Sequence, residues 1–347
     1  MRIHTNAIRN RNTEIDIWRF WGAIIIMIHH LYTTGMDGSE YGFHDGYIFV
    51  EFFFLLTGYY TASHFKNNSN VITLEEKIKS GLKYAFHKYK SFFYICGCAT
   101  TAQYLLLILS DYISPVDKIK NLVNFPADLL LITGLYQRPL VTSLWYLSAM
   151  CIVLPFVSIA MQSSNRIFNA FFSFVLIGIY YGYVLPTLLI PYGLDKGCAE
   201  DLLRAFICMY AGCFILEMSD YISKFRTSKK NDIILFLLSE FCMFFVIIEI
   251  YTSRITFIHS VLAFICAIIC MCSRNYSATN NITSYLGKIS LYIYIWNWVV
   301  GSYIKNFMAD FSATNIKILY FSVTILLAVL SDICMKYLHR KRKVSGK

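Results

Sequence analysis

The sequence is poor in charged residues. Asp, Glu, Lys and Arg together make up 15% of the 347 residues, whereas soluble globular chains carry about 25%. Hydrophobic residues make up 57% of the chain, and the mean hydropathy is +0.52. This balance excludes a chain built from ordinary soluble domains and indicates a protein that is largely embedded in a membrane.

The sequence also lacks the usual signs of metal binding and of internal duplication. Its eleven cysteines lie almost all inside apolar runs such as "YICGCAT", with no CxxC pair and no histidine at ligand spacing. We interpret them as small hydrophobic residues in packed helices and predict no metal site. The absence of a repeat argues against transporters built from duplicated halves. A polar start followed by a full-length apolar run favours an uncleaved signal anchor.

Apolar segments long enough to cross a membrane recur along the whole chain. A helix needs about 20 apolar residues to span a hydrocarbon core about 30 Å thick. The sequence therefore predicts an all-α, polytopic integral membrane protein with one domain over 1–347, a short N-terminus 1–16 and a basic tail 337–347. A shorter apolar piece at 129–135 predicts a re-entrant segment or a surface turn. We expect about ten spans, at 17–35, 47–65, 90–110, 143–162, 167–190, 201–219, 231–251, 255–273, 287–305 and 314–336.

The net charge of +10 is distributed unevenly between alternate loops. Lys and Arg are concentrated in the N-terminus, in every second loop and in the tail "HRKRKVSGK", whereas the first of the other loops is acidic through Asp37, Glu40 and Asp45. By the positive-inside rule both termini are cytoplasmic, which requires an even number of spans. We therefore attribute the basicity to topology and expect no nucleic-acid partner, with contact between the tail and anionic lipid as a secondary role.

Polar groups nonetheless occur inside the first span, "IDIWRFWGAIIIMIHH". The eleven steps from Arg19 to His30 leave about 20° of rotation over about 16 Å of helix, so both side chains lie on one face. His29 is rotated from that face by about 100°, while Asp16 is placed to pair with Arg19. Taken singly, Arg19 is explained by snorkelling and His30 by an ordinary interfacial or buried histidine. Their common face favours a functional pair.

The second span carries a carboxyl group among aromatic residues. In "GYIFVEFFFLLTGYYTASHF", Glu51 is followed by three phenylalanines and lies several residues from any loop. Such a group is either protonated or paired with a cation, for which His30 and Arg19 are the candidates. A structural hydrogen bond between helices and a catalytic role are equally compatible with it. Thr57 and Gly58 give the same helix a small surface that favours close helix contact.

These motifs together resemble the membrane-bound acyltransferase-3 family. That family has an Arg and a His eleven residues apart in the first helix, as Arg19 and His30 are here. Its FFxxSG[FY] element is similar to "FFLLTGY", with Thr57 in place of Ser, and its LW[FYS]L element is similar to "LWYL" in "SLWYLSAM". The late segment "GKISLYIYIWNWVV" follows the family's SxYIYLxH pattern but has Asn297 where a histidine is common.

The resemblance implies a ten-helix membrane enzyme that transfers an acyl group. The donor in the family is most often acetyl-CoA, with no permanently bound cofactor. The acceptor is a hydroxyl of a cell-surface or lipid-linked carbohydrate, such as O-antigen, capsule or exopolysaccharide. We therefore expect a multi-pass protein of the bacterial cytoplasmic membrane whose partners are acyl-CoA, a carbohydrate and the lipid bilayer.

Acyl transfer to a hydroxyl needs a base, and neutral imidazole is suited to that task near neutral pH. The hypothesis is that His30 is this base, oriented by a neighbour such as Glu51. The alternative is that His30 becomes transiently acylated and carries the group between donor and acceptor. Arg19, on the cytoplasmic side of His30, either binds the phosphate or thioester end of CoA or simply holds Asp16.

The remaining candidates concern substrate binding. Asp16 supports Arg19 in the donor region. Trp145 and Tyr146 either shape the acceptor cavity, because aromatic faces stack on sugars, or belong to an interfacial aromatic belt. The rival functions are a transporter or flippase of lipid-linked sugars, a sugar-polymerising membrane protein and a catalytically silent sensor.

Overall fold

The computed structural model describes residues 12–33, 43–66, 73–110, 113–162, 165–185, 197–225, 228–274, 281–308 and 311–345. Within these residues it contains helices and turns but no strands. The helices are α1 Thr13–Thr33, α2 Phe49–Lys66, α3 Leu74–Leu109, α4 Pro115–Leu129, α5 Trp145–Ala160, α6 Arg166–Ile179, α7 Gly197–Tyr210, α8 Gly212–Phe225, α9 Lys229–Tyr251, α10 Phe257–Ser273, α11 Asn281–Phe307 and α12 Ala313–Ser345.

All ten predicted spans contain helix, and the all-α polytopic class is confirmed. Within the described residues six segments are long and apolar enough to cross a membrane, and α7 and α8 together form one of them. The helices α1, α2 and α11 are not among the six, and α10 is apolar but only 17 residues long. Because α1, α2 and α11 carry the polar residues of the candidate site, their composition is less apolar than that of a lipid-facing helix. The count of ten stays a prediction.

The third helix is much longer than the span predicted at 90–110. Thr73 starts α3 through a capping box, in which its hydroxyl accepts the Glu76 backbone N–H and the Glu76 carboxylate accepts the Thr73 N–H. At 36 residues, α3 is about 54 Å long, against about 30 Å of hydrocarbon. Its first four turns are polar, which is why a search for apolar runs does not detect them.

Three helix contacts organise the buried centre. The helix α1 packs most extensively against α11, and α2 packs against both α7 and α8. A Cβ atom added to Gly58 on α2 would lie 1.9 Å from the backbone oxygen of Met209, and one added to Gly212 would lie 2.1 Å from the Gly58 carbonyl carbon. The backbones therefore touch at this crossing, which confirms the prediction that Gly58 permits close helix contact.

The apolar piece at 129–135 forms a half-buried turn at the end of α4. Leu131 adopts a positive φ of 56° and is 1% exposed. The Ser148 hydroxyl on α5 donates to the Leu131 carbonyl at 2.7 Å, and the Gly134 N–H donates to the Ser148 oxygen at 3.1 Å. Asp128 accepts the Thr133 hydroxyl at 2.6 Å and the Leu140 N–H at 3.3 Å. The segment is thus a turn fixed on the start of α5, and it positions Trp145 and Tyr146.

Candidate active site

A cavity of about 930 Å³ lies within one end of the helix bundle. Its walls come from the first turns of α1, the part of α2 from Phe53 to Ser63, the middle of α3, α5, the end of α10 and the first half of α11. Three of the predicted site residues line it: Asp16, Arg19 and Tyr146. The other three, His30, Glu51 and Trp145, lie outside its lining.

Three cations from three different elements line this cavity. They are Arg19 on α1, Lys88 on α3 and Arg274 directly after α10. The Arg19 side chain is 30% exposed and donates to Asp16 at 3.5 Å, the pairing predicted from their spacing. Lys88 and Arg274 entered the sequence analysis only as part of the basic loops. Their place in the cavity depends on how α3 and α10 pack around α1, which the sequence pattern does not reveal.

Arg274 is held at the cavity wall by a buried carboxylate. It forms an ion pair with Glu14, and the Ser239 hydroxyl donates to Glu14 at 2.5 Å. The Arg274 guanidinium also lies 5.0 Å from the centre of the Phe236 ring. Glu14 therefore connects α1 to α9 and to the segment after α10, and it fixes the direction of Arg274.

Gly287 explains how Asp16 is held in place. A Cβ atom at Gly287 would lie 2.3 Å from Asp16 Oδ1 and 2.6 Å from its Cβ. Only a residue without a side chain allows α11 to approach the Asp16 carboxylate this closely. Asp16 is 3% exposed and lies between Gly287 and Arg19.

His30 lies deeper along α1, where it faces α11. Its Nδ1 is 2.5 Å from Asn297 Oδ1, and its ring meets the Trp298 ring edge-on with centroids 5.3 Å apart. The neighbouring His29 instead bonds through Nδ1 to the His44 carbonyl at 2.6 Å. The two histidines therefore have different partners, as the rotation between them predicts. Asn297, which stands where the acyltransferase-3 pattern commonly has a histidine, therefore contacts His30 directly.

The predicted pairing of Glu51 with His30 or Arg19 is wrong. Glu51 Oε1 accepts from Arg204 Nε at 2.9 Å and from a terminal nitrogen of the same guanidinium at 2.5 Å. The Tyr181 hydroxyl donates to the same oxygen at 3.3 Å. The physical reason is that this face of α2 packs against α7, whereas His30 faces α11.

Arg204, like Lys88 and Arg274, was not among the predicted site residues. It is 8% exposed, and its guanidinium lies 5.3 Å from the centre of the Trp145 ring. The sequence did carry a signal for it, because Arg204 is an ionisable residue inside the predicted span 201–219. The same criterion, an ionisable residue inside a span, selected Glu51. Trp145 thus contacts an ion pair rather than the cavity.

Tyr146 joins the cavity to the second helix. It is 6% exposed, its ring lies 4.6 Å from that of Phe54, and its hydroxyl is 3.5 Å from the Thr57 hydroxyl. Thr57 also donates to the Phe53 carbonyl at 2.8 Å. Thr57, which replaces the usual serine of the FFxxSG[FY] element, therefore lines the cavity together with Tyr146.

These features define a class of protein: a multi-pass helical membrane protein with a cationic cavity at one end and a buried histidine further along the same helix. The sequence profile of the acyltransferase-3 family, described as an acyltransferase domain, matches residues 12–334. The chain belongs to this family and is a membrane acyltransferase. Searches of curated proteins and of solved structures returned no match.

Proposed function

We propose that this acyltransferase moves an acetyl group from acetyl-CoA to a hydroxyl of a cell-surface or lipid-linked carbohydrate, such as O-antigen, capsule or exopolysaccharide. The proposal places it in the bacterial cytoplasmic membrane. The observation that carries it is the cavity with three cations, which lies at the end of the bundle that the positive-inside rule assigns to the cytoplasm. Acetyl-CoA is an anionic donor made in that compartment.

The donor end of the mechanism rests on Arg19, Lys88 and Arg274. CoA carries a diphosphate and a 3′-phosphate, and a guanidinium fork binds phosphate oxygens with two parallel hydrogen bonds. The volume of about 930 Å³ lies near the top of the range of about 300–1,000 Å³ for small-molecule sites. In this proposal Asp16 orients Arg19, and Glu14 orients Arg274.

The chemical step rests on His30. As a base, its imidazole takes the proton of the acceptor hydroxyl while the oxygen forms a bond to the acetyl carbon and the carbon–sulfur bond breaks. The proton then passes to the CoA sulfur. The second route stays open: His30 takes the acetyl group from CoA and yields it to the hydroxyl, whose proton again ends on sulfur.

The acceptor end rests on the aromatic residues at the start of α5. Tyr146 lines the cavity beside Thr57, and both present hydroxyl groups that can bond a sugar. Trp145 offers a ring whose orientation is fixed by Arg204, and Arg204 is held by Glu51. We therefore assign Glu51 the role of holding Arg204, in place of the contact with His30 predicted from the sequence.

The test is an assay of purified protein in nanodiscs with [14C]acetyl-CoA and lipid-linked saccharide extracted from the host. Wild type should transfer label to the saccharide. His30→Ala should lose the factor of about 10²–10⁴ that a general base contributes, whereas His29→Ala, whose ring bonds the His44 carbonyl, should be milder. Full activity of His30→Ala would remove His30 from the mechanism, and intact [14C]acetyl-CoA with wild type would favour a transporter.

Titration of CoA into the same preparations tests the donor site. Arg19→Ala should weaken CoA binding by about 10- to 100-fold, the value of a charge-assisted bond. Arg19→Lys should also weaken it, because an ammonium group does not form the two parallel bonds. Lys83→Ala is the matched control, since Lys83 is an exposed cation on α3 outside the cavity lining. An equal loss for Lys83→Ala would mean that binding follows net charge and not this cavity.

A further inference from the structure

We propose that Asn297 is a positioning residue that holds His30 in the tautomer with the proton on Nδ1 and the lone pair on Nε2. Asn297 is fully buried at the α1–α11 contact. It is not part of the cavity lining, and it contacts the ring of His30, through which it acts in this proposal. The proposal rests on the function proposed for His30.

The orientation of the Asn297 amide is fixed by its own helix. Its Nδ2 donates to the Ile293 carbonyl at 3.2 Å and to the Tyr294 carbonyl at 2.9 Å. A flipped amide would place Oδ1 against these two carbonyl oxygens and would lose both bonds. Because both N–H groups are committed to α11, the atom that faces His30 is the carbonyl oxygen, 2.5 Å from Nδ1.

A carbonyl oxygen accepts hydrogen bonds and does not donate them. His30 Nδ1 must therefore carry a hydrogen, and in the neutral ring the lone pair then lies on Nε2. Both chemical routes left open for His30, proton acceptance and transient acylation, use a lone pair on a ring nitrogen. Asn297 thus decides which nitrogen performs the step in either route.

The same contact serves the charged form of the ring. When Nε2 gains a proton, the bond from Nδ1–H to the Asn297 carbonyl becomes charge-assisted and stronger. The Trp298 ring, edge-on at 85° and 5.3 Å, restricts rotation of the imidazole. The face of α11 that carries Asn297 also supplies Tyr294 and Ser290 to the cavity wall. The same helix therefore contacts the His30 ring and lines the cavity.

The first experiment reads the tautomer directly. Full-length protein labelled with 15N-histidine in lipid bilayers is measured by solid-state NMR, with the His30 signals identified by their loss in His30→Ala. Wild type should show a protonated Nδ1 and an unprotonated Nε2. Asn297→Leu should shift His30 to a mixture of tautomers. A wild-type ring with the proton on Nε2, or an unchanged spectrum in Asn297→Leu, would overturn the proposal.

Asn297→Asp is the second variant, because aspartate has the same shape and keeps an acceptor oxygen toward Nδ1, although its other oxygen cannot donate to the Ile293 and Tyr294 carbonyls. It should preserve the wild-type tautomer even if Asn297→Leu proves unstable. In the transfer assay, Asn297→Leu should lower kcat by about 10- to 100-fold with KM for acetyl-CoA within twofold, and Asn297→Asp, which keeps the acceptor but loses the bonds to α11, should recover part of kcat. A rise in KM without loss of kcat would contradict a positioning role.

The two readouts separate this inference from the proposed function. If His30→Ala is active while wild type shows the expected tautomer, the catalytic role proposed for His30 is refuted and the structural assignment stays intact. An inactive His30→Ala together with a fully active Asn297→Leu would refute the positioning role alone. In the His30→Ala background, Asn297→Leu should cause no further loss, because a residue that acts through another loses its effect when that residue is gone.

Discussion

Three hydrogen-bond donors converge on one oxygen of Glu51, a residue with no exposed surface. Its partner Arg204 is nearly as buried, and the guanidinium has a second carboxylate, Asp201, 3.7 Å from another of its nitrogens. Glu51→Gln should lower the free energy of unfolding by about 1.5–3 kcal/mol, the value of hydrogen bonds to a charged group, because it removes the nearer of the two counter-charges and leaves Asp201 alone to compensate Arg204. The measurement is the apparent Tm in detergent.

A double variant provides the control for this ion pair. Replacing both residues with apolar side chains of similar size, Glu51→Leu with Arg204→Met, removes the buried cation together with its bonds to Glu51 and leaves the partly exposed Asp201 as the remaining charge. It should be more stable than Glu51→Gln. A double variant that is no more stable than the single one would show that the loss comes from packing around α2 and not from the missing Glu51 charge beside Arg204.

Residue-level predictions succeeded where the contact is local. Asp16 and Arg19 are three residues apart on one helix, so their spacing alone predicts the contact that forms. The partner of Glu51 lies on α7 and that of His30 on α11. Which helices face each other depends on packing across the whole bundle, and one sequence carries no direct signal for it.

At the scale of elements, the crossing of α2 with α7 and α8 depends on glycine. Gly58→Ala would place a methyl group 1.9 Å from the Met209 carbonyl oxygen, so the helices would have to separate. We expect a loss of about 1–3 kcal/mol in unfolding free energy, the usual range for overpacking. Gly178→Ala on α6 is the matched control, because nothing lies within 4 Å of its added Cβ atom. Equal loss in apparent Tm for both variants would refute the steric explanation.

The elements themselves were predictable to different degrees. Hydropathy located helix in all ten predicted intervals because the thickness of the bilayer sets the length of an apolar helix. It did not detect α4, whose apolar residues occupy one side of a 15-residue helix, nor the break between α7 and α8 at Ala211. Short amphipathic helices and breaks inside a span do not change the mean hydropathy enough to be seen.

At the scale of the whole molecule, two independent features mark the same end of the bundle. The basic loops predict that Lys88 and Arg274 lie on the cytoplasmic side, and both residues line the cavity with Arg19. A donor bound there would be separated from the level of His30 by about 16 Å of α1. The two ends of the molecule therefore differ in charge, and the cationic cavity lies at the basic end.

This asymmetry predicts a sided reaction. In proteoliposomes sorted by exposure of a C-terminal tag, [14C]acetyl-CoA, which does not cross a bilayer, should be consumed only when it is added to the side that carries the tag. The physical reason is that the three cavity cations and the basic tail belong to the same end, and charge attraction for an anionic donor acts only over about 10 Å at 0.1 M salt. Equal consumption from both sides would contradict the assigned topology, whereas consumption from the opposite side alone would invert it and place the donor site on the outer face.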